Sequence, residues 1–152
     1  RDATPMFSPD GHWIAYTSGE TAEAEIFVRP FPARPGSPRR VSIGAPGVGG
    51  AMFPSWSRTA KELLYRQANR IMFAPYVIEG DSFTPGNPDL WAPTGIRPLA
   101  VASHSNYALH PDGRRVVAAA VDPGTLTSEG RDKVVYFLSF AEYLRKIAPV
   151  KK

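Results

Sequence analysis

The chain contains no cysteine. That excludes disulfides, thiolate metal sites and a cysteine nucleophile, and it suits cytoplasm and periplasm alike. No apolar run approaches the ~20 residues that a membrane-spanning helix needs, so no membrane insertion is expected. The histidines are His12, His104 and His110, and none is paired at a metal-binding spacing such as H-E-x-x-H. No G-x-S-x-G elbow marks a serine nucleophile. No two carboxylates recur at a local spacing that suggests general acid–base work. The stretch Gly44 to Gly50 is rich in glycine, but it lacks the lysine of a phosphate-binding loop and opens no helix. It reads as a flexible link. From these absences we expect no catalytic residue, no metal and no cofactor.

Concentrated charge is also missing. Lys and Arg number 18 against 14 Asp and Glu, for a net charge of +4. The basic residues are scattered, apart from Arg39-Arg40, Arg114-Arg115 and the Lys151-Lys152 tail. A nucleic-acid binder gathers its charge on one face or helix, so no nucleic acid is expected as a partner. The opening residues RDATPMF carry no initiator Met and no apolar signal region. They lead us to expect a piece of something longer, or a processed product.

Turn formers, by contrast, are plentiful. The 16 Pro and 13 Gly are spread along 152 residues, about one domain in length. Such punctuation fits many short strands joined by turns. A repeat organises them. PMFSPDGHWIAYTS from Pro5, PSWSRTAKELLYRQ from Pro54 and NYALHPDGRRVVAAA from Asn106 align with Phe7, Trp56 and Leu109 in one column. The offsets are 49 and 53 residues. In two copies Pro-Asp-Gly follows; in the middle copy Arg58-Thr59-Ala60 stands there, so a different hairpin geometry is expected. Asp10 and Asp112 therefore read as turn residues, and His110 as a turn hydrogen-bonder.

Each unit predicts short antiparallel strands: up to Phe7, His12–Thr17, Glu25–Arg29 and Arg39–Ile43 in the first. The second has Met52–Trp56, Glu62–Arg66, Arg70–Ile78 and Asp89–Ala92. The third has Asn106–Leu109, Arg114–Val121 and Lys133–Ser139, then Phe140–Ile147 at helical spacing. The units span about 3–46, 50–96 and 103–149. The aromatics Trp13, Tyr16, Phe27, Trp56, Tyr65, Phe73, Tyr136 and Phe137 read as packing between sheets. Sheets repeated at this period bury their apolar faces by stacking about an axis, which is a propeller; a sandwich is the competing all-β arrangement.

FSPDGHWIAYTS…AEIFVRPFP resembles the TolB-type, WD-repeat-like propeller repeat. VRPFP, WSRTAKELLYR…NRIMFAPY and the final YALHPDGRR…KVVYFLSFAEYLRKIAP resemble propeller regions that follow bacterial serine/threonine kinase domains and those of related regulators. The resemblance implies an all-β partial β-propeller: three four-stranded antiparallel blades with a short C-terminal helix. It implies a bacterial, non-catalytic platform that binds protein or a small ligand. Family propellers have about six or more blades, so this chain is expected to complete a ring as a homodimer. The alternative is a hydrolase or lyase whose channel active site forms on assembly of that ring. Loops entering the innermost strands face the channel mouth of a propeller. They make Met52, Phe53, Arg97, His104, Asn106 and Tyr107 the candidate ligand-binding residues.

Overall fold

Among the described residues, alternating apolar residues between Pro-, Gly- and Asp-rich turns condense into three antiparallel sheets. The structure is a computed structural model. It describes residues 2–19, 23–33, 41–43, 49–91, 96, 105–118 and 135–138. The first sheet runs in chain order through β1 (Asp2–Phe7), β2 (Trp13–Ser18), β3 (Glu25–Pro30) and β4 (Val41–Ile43). The second holds β5 (Ala51–Trp56), β6 (Glu62–Gln67), β7 (Arg70–Glu79), β8 (Ser82–Pro85) and β9 (Asp89–Leu90). The third holds β10 (Tyr107–Leu109), β11 (Arg115–Ala118) and β12 (Val135–Leu138). No helix occurs among the described residues, and the helix expected over Phe140–Ile147 lies outside them.

One expectation needs correction. The second sheet has five strands, not four. Strand β7 is long enough to serve two partners on one edge. Its first half pairs with β9 through Met72 and Phe73, and its second half pairs with β8 through Tyr76 to Glu79. Gly80 and Asp81 close the β7–β8 hairpin. Residues Ser82–Pro85 (SFTP) end in proline and lead into Gly-Asn-Pro, so the letters read as connection. Pairing along an edge that β7 leaves open makes them a strand.

The sequence repeat recurs in the hydrogen bonds. Ser8 N–H donates to the Trp13 carbonyl, Ser57 N–H to Glu62, and His110 N–H to Arg115. These are equivalent columns of the three copies. Within the turns the middle copy differs, as its letters suggest. Gly11 and Gly113 donate to the carbonyls of Ser8 and His110 with positive φ. The equivalent Ala60 donates instead to the Ser57 side chain, at 3.2 Å. Closure is thus conserved in geometry while the tip is rebuilt. The two Asp-containing turns are held by their carboxylates. Asp10 accepts from Ser8 Oγ and His12 N–H, and Asp112 accepts from Arg114 N–H and Arg115 Nε. His110 Nδ1 accepts from Asp112 N–H at 3.2 Å.

The sheets stack. Residues Trp13, Ala15, Ile26 and Val28 on one face of sheet one pack with Trp56, Leu63, Tyr65, Tyr76 and Phe83 of sheet two. The other face of sheet two gives Phe53, Leu64 and Ile71, which pack with Tyr107, Val116 and Ala118 of sheet three. Successive residues of β6, Leu63 and Leu64, therefore face different neighbours, as strand alternation requires. The middle sheet is buried on both sides. Sheet one also carries apolar residues on both faces: Ile14, Tyr16 and Phe27 cluster opposite Trp13 and Ala15. All six residues of β2 are buried.

Candidate functional site

The first strands of the three sheets are linked where they begin. Strands β1 and β5 each carry a register shift, between Ala3 and Met6 and between Met52 and Ser55. Each shift holds a residue at positive φ, Thr4 at 51° and Phe53 at 58°. These are equivalent positions of the repeat, and Asn106 is the third. Bulges re-aim the backbone, and at Phe53 the shift turns it toward both neighbouring sheets. Phe53 N–H donates to Thr17 Oγ1 of sheet one at 3.1 Å. Thr17 Oγ1 also lies 2.9 Å from Thr4 Oγ1. The Phe53 carbonyl accepts the hydroxyl of Tyr107 from sheet three. One residue of the middle sheet thus joins all three.

This arrangement assigns parts to the expected binding residues. Phe53 and Tyr107 are buried in the core between sheets two and three. Burial pushes the Tyr107 phenol above its ordinary pKa of 10.0, so it stays a proton donor to Phe53. Met52 and Asn106 are half-buried at the edge of the same core. The structure brings these four together. Arg97 and His104 lie outside the described residues. Just before Asn106, Ser105 Oγ donates to the Tyr107 carbonyl at 2.7 Å and fixes the strand entry.

Sequence reading missed a residue at this end of the sheet. Arg66 stands opposite Met52 on one side and Ile71 on the other. It is 8% exposed, yet among the described residues it has no carboxylate partner. Its Nη2 donates to Asn69 Oδ1 at 3.4 Å, and its Nε is buried without an acceptor among the described residues. Burial pulls the guanidinium below its ordinary pKa. The signal was present in the letters. In ELLYRQ the alternation that places Leu64 in a core also places Arg66 there.

At the other end of the first two sheets lies a cleft of about 220 Å³. Trp13, Phe31 and Ile78 line it, with Asp10, His12 and Asp81 among its walls. Phe31 and Phe7 meet there edge to face, 5.0 Å apart, and both are exposed. No group of three or more His, Asp or Glu side chains poised to hold a metal occurs among the described residues. No helix among the described residues is long and apolar enough to cross a membrane. A scan against protein-family models gives no match, and a search of curated proteins gives none either.

Proposed function

We propose that this chain is a segment of a β-propeller that acts as a non-catalytic binding platform. The observation that carries the reading is the middle sheet. It packs on a neighbour through each face, and its first strand is hydrogen-bonded to both neighbours. Sheets stacked this way, in a repeat of about fifty residues, are how propeller blades bury their faces. The two-sided apolar pattern of sheet one supports the same view, because a blade inside a ring has a neighbour on each side. Three blades leave open ends, so the ring is completed by a second copy about a two-fold axis. The ligand or partner binds where the first strands begin, around Met52 and Asn106. Arg97 and His104, expected at the same mouth from the sequence, lie outside the described residues.

Native mass measured by light scattering on a sizing column tests the assembly. A particle of twice 16.6 kDa is the expected result. A stable monomer removes the homodimeric ring. Averaged electron-microscope images then test the architecture, which requires a disc with about six radial blades. Two sheets clamped together without radial symmetry would overturn the propeller itself.

A further inference from the structure

A cation that is nine-tenths buried is costly unless it is paired and hydrogen-bonded. Arg66 departs from that rule within the site proposed above. We propose that Arg66 receives a carboxylate, so that the ligand class of the platform is a carboxylate carried on an apolar body. This inference deepens the platform reading and rests on it. Three observations carry it.

The first is the unused donor. Among the described residues Nε of Arg66 has no acceptor, and the Nη2 contact to Asn69 is long at 3.4 Å. A guanidinium offers a planar fork that matches the two oxygens of a carboxylate. The second is the surroundings. Met52 and Ile71 flank Arg66 across the sheet. Trp91 N–H and Ile96 N–H donate to the carbonyls of Ile71 and Asn69, which brings two more buried apolar residues alongside. One positive charge among apolar side chains balances one negative charge. Among the described residues Arg66 is the one buried cation, and its single fork matches the two oxygens of a carboxylate better than the larger charge of a phosphate. The third is access. The guanidinium reaches to Asn69, in the exposed turn at residues 68–69 that joins β6 to β7. Because the Asn69 contact is weak, an incoming carboxylate can replace it.

The test uses the whole chain, with phenylacetate, acetate and phosphate as probes at matched ionic strength. Thermal unfolding and the NMR signals of arginine Nε–H groups are followed. Phenylacetate is expected to raise Tm in a concentration-dependent way and to shift one Nε–H signal, the one missing from Arg66→Met. Acetate should act more weakly, for want of the apolar body. Arg66→Met should melt no earlier than the wild type without ligand, because the apolar replacement relieves an unpaired charge. It should also lose the phenylacetate response. Arg66→Lys keeps the charge but loses the fork, and should bind at least about tenfold more weakly. The proposal is overturned if phenylacetate has no effect, if phosphate matches it, or if Arg66→Met still responds. It is equally overturned if Arg66→Met melts far below wild type while Arg66→Lys binds in full. Native mass separates the two readings. A monomer that still takes up phenylacetate through Arg66 removes the ring and leaves the carboxylate site.

Discussion

Tyr107 holds the third sheet to the second through a single hydroxyl. Its partner, the Phe53 carbonyl, lies in the same core. Tyr107→Phe keeps the ring and leaves that carbonyl unsatisfied, which costs about 1–3 kcal/mol. Urea unfolding should show a lower midpoint with an unchanged slope. Asp112 makes a different prediction. Its carboxyl accepts from Arg114 N–H and is paired with Arg115, and its pKa is lowered from 3.8 to about 2. A depressed folded value contributes stability above the unfolded value, and the contribution is lost as pH falls through the folded one. Asp112→Asn should therefore flatten the acid loss of stability between about pH 4 and pH 2. The effect should be small, since the group is exposed, and stability measured at several pH values checks it. At this scale the letters disclosed the turn roles of Asp10 and Asp112, because Pro-Asp-Gly carries its own geometry. They could not disclose the Tyr107–Phe53 bond, which joins residues 54 apart through a bulge. A positive φ at a phenylalanine has no sequence signal at all.

Strand β6 is the element on which the stacking depends most directly. Leu63 and Leu64 are both fully buried, one toward sheet one and one toward sheet three. Leu63→Ala and Leu64→Ala should each cost about 2–5 kcal/mol, measured by urea unfolding. In a strand with one solvated face, one of the two would be nearly silent. A pair of unequal results, one large and one within about 0.5 kcal/mol, would contradict the two-sided packing. Gly113 shows how elements of different sheets also meet at their turns. A Cβ there would come within 2.2 Å of Thr59 Oγ1, and φ is +68°. The turn of the third unit thus packs on that of the second, where Thr59 Oγ1 also donates to the Asp112 carbonyl at 3.1 Å. Most strands were legible within a residue or two, since β-branched and aromatic runs alternate between clear turn signals. Strand β8 was not. Its four residues become a strand through tertiary pairing with β7, and no local preference announces that.

At the scale of the whole molecule the repeat was legible because it is written in columns, and equivalent columns form equivalent hydrogen bonds among the described residues. The ring is a further step, argued from stacking. The position of sheet two has a consequence for how the chain comes apart. Its central amides lie between two sheets, whereas each outer sheet meets a described neighbour on one face only. Amide hydrogens of Leu63, Leu64 and Tyr65 should accordingly exchange with deuterium last, and those of β1 and β10 earlier. Loss of protection should travel inward from the flanks as denaturant rises. Uniform exchange across all three layers would mean that they open together as a single cooperative unit.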